Sequence, residues 1–515
     1  MKKPKSVAGK IFEYDEIAEG FEAEADAIVI GSGAGGAVAA YNLAKSGRKV
    51  ILLEAGPVAR RSEMTKNAPE ILAKYYWDGG LRLAKGTSFQ PAMQGRMLGG
   101  STVINSAIIL PLPEWVRQDW AKSDGLYFAT GDKFEESIHR ISKKIHVTPT
   151  PWKVMGKRNL TAKAALDAAG IAGKPLPRAV KHCKGCGDCI IGCPDENKQS
   201  VDLNFIPEAM AHGADVYVSS HVKQIVKSRG KVVGVKGRVI QPFTYKKGGK
   251  FFVKAPLVIL AAGATHTPVI LQQSGINPRR TAGKTLMAHL TGGVIGFMPD
   301  PTDPWYGATQ GYGAISTVYR GLKFESLWAS PSVLSVKWGG IGEEFLRELK
   351  EVRYATLIAV VYRAKMKGSV RAGFDGSPIM KLYFPRKEVH TVMKAVKDAT
   401  EGLLESGARY AVPMVRRVPK KIYKKEEAAA LLNPKISLRD YSATFNHLFA
   451  SCRMGTNEKE HTVDLSGKVR GIKGLYICDA SIFPSPSAVN PQLTIMVLSD
   501  LITRRLGEFS QSDYL

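Results

Sequence analysis

Residues 26–57 read DAIVIGSGAGGAVAAYNLAKSGRKVILLEAGP. The apolar run AIVI leads into Gly31, Gly33 and Gly36 in GxGxxG spacing, a small-residue helical stretch follows, and a second apolar run ends at Glu54. This order predicts a βαβ unit that binds a dinucleotide. Gly31 permits the tight turn, Gly33 lets the backbone approach a pyrophosphate at the helix N-terminus, and Gly36 lets helix and strand pack closely. Glu54 suits a ribose hydroxyl pair and repels a 2′-phosphate, which favours FAD or NAD over NADP.

A chain of 515 residues buries a large core and is expected to hold two domains or more. Lys and Arg number 73 against 46 Asp and Glu, a net charge of +27, so the partner of that charge is a question the sequence raises. The densest basic cluster is Arg416, Arg417, Lys420, Lys421, Lys424 and Lys425. It lacks the interleaved aromatics of a single-strand binder, which argues against nucleic acid. A solvated face, or a docking face for an acidic carrier or a membrane, remains. The start, MKKPKSVAGKIFEYDEIAEG, is basic but has no apolar core or small-residue cleavage site. The run APLVILAAGATHTPVIL contains His266 and is too short to span a bilayer. The expectation is a cytoplasmic protein, at most peripherally attached to a membrane.

Four further stretches carry a resemblance to a known family. QGRMLGGSTVINSAI, with Gly99, Gly100 and Asn105, closely matches the first signature of the glucose-methanol-choline (GMC) oxidoreductases, which are FAD enzymes. AAGATHTPVILQQSGI, from Ala261, resembles the second signature and departs from it at Asn277, where a glycine is usual. HLFASCRMG, from His447, resembles the family's HxxGTCRMG, with Ala450 and Ser451 in place of Gly and Thr. GLYICDASIFPSPSAVNPQLTI, from Gly474, resembles the closing FAD segment. The chain is thereby identified as a member of the family from about residue 26 to its C-terminus.

The resemblance implies an α/β fold: a Rossmann-like FAD-binding domain with an α+β substrate domain built on an antiparallel or mixed sheet. The FAD domain takes residues 22–120, 195–295 and 450–515, the substrate domain 296–449, and a connector with a cysteine-rich loop 121–194. Locally, 358–366 and 378–384 read as strands, and HTVMKAVKDATEGLLESGA has helical apolar spacing before Gly407.

Hydride transfer from an alcohol to flavin leaves a hydroxyl proton that a histidine accepts well near neutral pH. By motif, the catalytic pair resembles His447 as general base and Asn490 orienting the substrate hydroxyl. On the residues alone, Asn490 before Pro491 also reads as a helix cap, and the two readings coexist. The resemblance implies that Gly31, Gly33, Gly36 and Glu54 hold the ADP half, that Gly99, Gly100 and Asn105 hold the middle and the ring, that the Val222 backbone meets adenine, and that Asp479 lies near the pyrophosphate or ribityl chain. Relatives with covalent FAD use a histidine just before the signature asparagine; Ile104 stands there, so FAD is expected to be noncovalent.

Cys183, Cys186, Cys189 and Cys193 follow the CxxCxxCxxxCP spacing of bacterial ferredoxins. In two-cluster ferredoxins the fourth cysteine serves the other cluster, yet one run exists here, and Cys452 and Cys478 fall in flavin motifs. An iron-sulfur cluster, [4Fe-4S] or [3Fe-4S], is the first expectation; a zinc site and a metal-free loop are the alternatives. A cluster implies a dehydrogenase that passes electrons to an acidic carrier protein or a membrane-bound acceptor. Without one, the reading is an oxygen-using alcohol oxidase, and a non-turnover electron-transfer subunit is the rival from another class. AVNPQLTI resembles the sterol and long-chain alcohol branch, which puts an apolar alcohol ahead of sugars and sugar acids as substrate. Trp305, Tyr306, Tyr312 and Trp328 are pocket or core candidates in the substrate domain.

Overall fold

The structure is a computed structural model, and it describes residues 8–331 and 341–508. The stretch 27–30 forms a fully buried strand, the helix Ala34–Lys45 follows, and Val50–Leu53 returns parallel to the first strand. Continuous Val, Ile and Leu runs are what a sheet covered on both faces requires. Each side chain so buried contributes about 1.5–3 kcal/mol.

That unit seeds a six-stranded parallel sheet. Its strand order is 11–12, 215–217, 50–53, 27–30, 257–260, 475–477, so apart from the founding pair 27–30 and 50–53 neighbouring strands come from distant parts of the chain. The last helix, Gln492–Glu508, packs against Ala34–Lys45 through a buried polar link. Asn42 donates to Asp500 and Thr503, both at 3.0 Å, and Asp500 also accepts from Ser137 at 2.8 Å. This buried network fixes one register between the two helices. A smaller sheet, 220–228, 231–240, 247–254 and 21–24, stands beside the parallel one.

The second large sheet is antiparallel throughout, in the order 410–412, 290–297, 355–362, 322–327, 312–315, 174–175. It begins at Leu290, inside the stretch assigned from sequence to the FAD domain, and takes its edge strand Lys174–Pro175 from the connector. The helix Arg386–Glu405 backs it. Gly292 and Gly296 carry no side chain where the helix comes closest; a methyl there lies 2.6 Å from Val392 and 2.7 Å from Leu403. The strands at Ala355–Tyr362 and Pro378–Tyr383 and this helix lie where the sequence pattern put them, within a few residues. Among the described residues, no helix is long and apolar enough to cross a membrane.

Candidate flavin and alcohol site

A cavity of about 470 Å³ runs between the two large sheets, and its wall gathers residues from every quoted motif. At one end stand Gly31, Gly33, Glu54, His221 and Val222. Gly31 has φ of 92°, and Gly33 is the N-cap of the following helix. Glu54 is buried and turned back onto the glycine loop: one oxygen accepts from Ser32 N and Oγ at 3.0 and 2.6 Å, the other from Gly56 N at 2.9 Å. Gly36 and Gly99 stand behind the wall. A methyl on Gly36 would fall 1.8 Å from the Gly31 carbonyl oxygen, and the Gly99 N–H donates to Ser32 Oγ at 3.0 Å, joining the two glycine loops.

In the middle of the cavity Gly100, Ile104, Asn105 and Asp479 line the wall. Asn105 donates to Gln492 at 2.6 Å and accepts from Ala107 N at 2.8 Å. Asp479 accepts from Gly263 N at 2.9 Å and Ser481 N at 2.8 Å, which fixes it at the start of the helix Gly263–Gln273. The cavity suits a dinucleotide on observable grounds. A Cβ added at Gly33 or at Gly263 meets nothing within 4 Å, so both helix starts present bare backbone to open space, the environment a pyrophosphate needs.

At the far end are His447, Asn490 and His289. His289 Nδ1 and His447 Nδ1 lie 3.0 Å apart with the rings at right angles, so one donates and the other accepts. His447 Nε2 has no hydrogen bond among the described residues and belongs to the cavity side. If His447 donates from Nδ1, its Nε2 carries the lone pair that accepts a proton, and the buried His289 Nε2, which has no partner, carries the other hydrogen. Burial pushes the His447 pKa down to about 4, with Lys323 acting in the same direction and Glu325 against it. Asn490 does not cap a helix with its side chain. Its Oδ1 accepts from the buried Lys323 ammonium, which also pairs with Glu325, and Gln310 donates to Glu325 at 2.9 Å. Around these polar groups the second sheet supplies Val294, Leu327, Leu357 and Val361, and the segment after its edge strand supplies Met414. Trp305, Tyr306, Tyr312 and Trp328 are not part of this wall; Trp328 donates to the Trp305 carbonyl at 3.2 Å instead.

The four cysteines of the loop line one small cavity of their own, together with Arg178 and Lys198. Cys452 and Cys478 are buried elsewhere. Arg178 is fully buried and donates to Cys189 Sγ at 3.1 Å and to Cys183 Sγ at 3.8 Å. Lys198, also buried, donates to the carbonyls of Val103, Asn105 and Cys189. Neither has a carboxylate within ion-pair distance among the described residues, nor does the buried Arg158 nearby, whose bonds go to backbone carbonyls. Burial pushes the Cys189 thiol up, but Arg178 and Lys198 together hold it below its usual range. No group of three or more His, Cys, Asp or Glu side chains among the described residues closes to the spacing that holds a single metal ion. Ile190 and the carbonyl partners of Lys198 and Arg178, Asn105 and Ser106, line both this loop's contact and the large cavity, so the loop lies against the wall of the flavin site.

Three of the six cations in the basic cluster are paired with carboxylates, and Arg416 donates to the Arg439 carbonyl. Arg417 pairs with Asp440 at 2.8 Å, Lys420 with Glu344 and Glu348 at 2.7 and 2.8 Å, and Lys425 with Glu405.

A parallel dinucleotide fold joined to an antiparallel sheet across a cavity with a histidine pair defines a flavin-type oxidoreductase architecture. The chain belongs to the GMC oxidoreductase family: residues 25–291 match its N-terminal domain and 374–499 its C-terminal domain. It is 30% identical over 480 residues to an uncharacterized GMC-type oxidoreductase of Mycobacterium tuberculosis, covering 92% of this chain and 74% of that protein. It is 26% identical to a long-chain-alcohol oxidase of Arabidopsis thaliana, covering 94% of this chain and 68% of that one. Among solved structures, a pyridoxine 4-oxidase from Mesorbium loti superposes with a TM-score of 0.69 at 16% identity, covering 94% of this chain and 99% of that chain, a likeness of fold.

Sequence reasoning did not find His289, Arg178, Lys323 or Glu325. Each is a single polar residue in an apolar or alternating stretch, and no local pattern marks it as facing a site.

Proposed function

We propose that the protein oxidises the CH–OH group of an apolar alcohol with noncovalently bound FAD, His447 taking the hydroxyl proton and Asn490 holding the oxygen. The observation that carries this reading is the His447 ring: half-buried, held at Nδ1 by His289, and left with Nε2 toward the cavity beside Asn490. FAD, when bound, supplies the hydride acceptor. Gly31, Gly33 and Glu54 would hold its ADP half, Gly100, Asn105 and Asp479 its middle, and Val222 the adenine end. Gly36 and Gly99 shape the wall from behind. The low pKa keeps His447 neutral at pH 7, the form that accepts a proton. The apolar wall of Val294, Leu327, Leu357 and Met414 excludes water from the reacting carbon and favours an alkyl or sterol substrate over a sugar. The long-chain-alcohol oxidases among the relatives point to the same substrate class.

The test is anaerobic flavin reduction by straight-chain alcohols of four to sixteen carbons, a sterol and glucose. Reduction that rises with chain length, and falls about 10²- to 10⁴-fold in His447→Ala with FAD retained, is the expected outcome. Reduction by glucose alone, or an unchanged rate in His447→Ala, sinks the reading.

We also propose that electrons leave the flavin through an iron-sulfur cluster on Cys183, Cys186, Cys189 and Cys193, toward an acidic carrier protein or a membrane-bound acceptor. Buried cations without carboxylates are costly unless an anion faces them. The four thiolates of a cluster supply that anion beside Arg178 and Lys198. The same four cysteines could also take zinc, which accepts four thiolates but carries no electrons, so metal identity is what the test reads. Iron and acid-labile sulfide analysis of anaerobically purified protein decides it. Zinc, or no metal, returns the enzyme to the oxygen-using oxidase reading.

A further inference from the structure

The strand Leu322–Leu327 turns Lys323, Glu325 and Leu327 to one face, and that face meets the large cavity and Asn490. Both charged side chains are almost completely enclosed, at 2% and 4% exposure, a placement charged residues adopt only when paired. Lys323 makes two hydrogen bonds, to Glu325 Oε1 and to Asn490 Oδ1. The second oxygen of Glu325 accepts from Gln310.

An ammonium group has three donors and no acceptor. Whatever atom of the Asn490 amide faces it is therefore the carbonyl oxygen; the flipped amide sets two donors against each other next to a buried charge. The amide nitrogen is left for the cavity wall, where Nδ2 has no hydrogen bond among the described residues. We infer that Lys323 is a positioning residue that locks Asn490 as a hydrogen-bond donor to the substrate oxygen, with Glu325 holding the ammonium in place. The inference rests on the reading of His447 and Asn490 as the site of alcohol oxidation.

The chemistry follows from the direction of that bond. A donor at the alcohol oxygen leaves the hydroxyl hydrogen free to point to His447 Nε2. As His447 takes the proton and the C–H bond gives up its hydride, negative charge gathers on the oxygen before the C=O bond is complete. A fixed N–H then stabilises the transition state more than the bound alcohol. An asparagine free to flip offers its carbonyl half of the time, which competes for the hydroxyl hydrogen and repels the developing charge.

The test uses the FAD-loaded enzyme with 1-dodecanol as the probe, in Lys323→Met/Glu325→Gln, Lys323→Gln and Lys323→Arg. The double variant removes both charges, so no lone ion is buried. Lys323→Gln offers Asn490 either an acceptor or a donor and so releases the flip. Loss of one oxyanion donor costs about 10²–10³ in rate, and loss of its orientation a part of that, so the double variant and Lys323→Gln are expected to slow flavin reduction about 10- to 100-fold at saturating dodecanol. KM stays within about threefold and FAD content at the parent value; melting temperature stays near the parent in the double variant and falls in Lys323→Gln, which leaves Glu325 buried without its cation, while Lys323→Arg, also donor-only, restores most of the rate. A rate at the parent level in either of the first two variants overturns the inference, as does a loss carried by KM alone. If the double variant fails to fold, Lys323→Gln and Lys323→Arg give the answer by themselves. His447→Ala is run alongside: an unchanged rate there refutes the underlying site, whereas a slow His447→Ala beside a normal Lys323→Gln refutes the role of Lys323 only.

Discussion

Two glycines of one motif should respond to the same substitution in opposite ways. Gly33 has φ of −67°, which alanine adopts freely, and an added methyl meets nothing within 4 Å because it points into the cavity. In Gly33→Ala, the stiffer unfolded chain contributes about 0.4–1 kcal/mol and the poorer N-cap takes back a similar amount, so the apoprotein should melt close to the parent. FAD must then pack against a methyl where backbone was bare. Overpacking of this kind costs about 1–3 kcal/mol, or roughly 5- to 150-fold in affinity. In Gly36→Ala the methyl falls 1.8 Å from the Gly31 carbonyl oxygen, so strand and helix must part by more than 1 Å. The cost lands on folding, above about 3 kcal/mol, with or without FAD. Melting of the two apoproteins, followed by FAD titration of whichever folds, separates the cases. A Gly33→Ala protein that binds FAD as tightly as the parent would refute the assignment of the open space to the dinucleotide. A Gly36→Ala protein of parental stability would refute the packing argument.

Other outcomes follow from the charged groups. With its pKa near 4, His447 should keep flavin reduction level from pH 8 to about 5, with a decline toward 4; a break near 6.5 would show the ring to be solvated. Stability should follow the same direction, because the unfolded ring binds its proton near 6.5 and the folded one does not, so acid favours unfolding between those two values. Asp124 accepts from Arg453 at 2.5 Å and His461 at 2.9 Å; burial raises its pKa, but His461, Ser123 and Arg453 together hold it below the usual carboxylate value. Its contribution is present above about pH 3.9 and disappears as pH falls through the lower folded value, and Asp124→Asn should cost about 3 kcal/mol in thermal or denaturant unfolding at pH 7. An unchanged stability would mark the trio as neutral to folding. With the proposed cluster on the cysteine loop, Arg178→Leu should lower its iron retention about 10- to 100-fold in a chelator competition, as outer-shell changes do, while FAD content stays constant. Equal retention would show that the arginine is packing only.

The parts of the site that were legible in the sequence are those the ligand imposes on the backbone. A pyrophosphate demands glycines at fixed offsets beside a strand, and the result is a local spacing that can be read without a fold. His447 and Asn490 were legible through the company of their motifs and would have been ambiguous alone. Lys323 and Glu325 were not legible, because LKFESL alternates like a strand with one wet face. In the fold that face turns inward, and only the docking of the second sheet over the first decides it. Arg178 and Lys198 carry no local signal of burial, and only the fold brings them onto the cysteine loop. In the basic cluster at 416–425 the ion pairs of Arg417, Lys420 and Lys425 were not legible, since their partners Glu344, Glu348, Glu405 and Asp440 are scattered along the chain.

The strand order of the parallel sheet bears on how the protein is made. Leu257–Leu260 pairs on one side with Ala27–Ile30, already synthesised, and on the other with Leu475–Ile477, which leaves the ribosome only after the whole antiparallel sheet. Until then a fully apolar strand edge stays unpaired, and Asp479, Asn490 and the last helix are missing from the cavity wall. A nascent chain can therefore neither load its flavin nor hide that edge, which makes the late stage of translation the interval of greatest dependence on chaperones. Premature termination anywhere before Leu475 should release a chain destined for aggregation or proteolysis rather than a partly active enzyme.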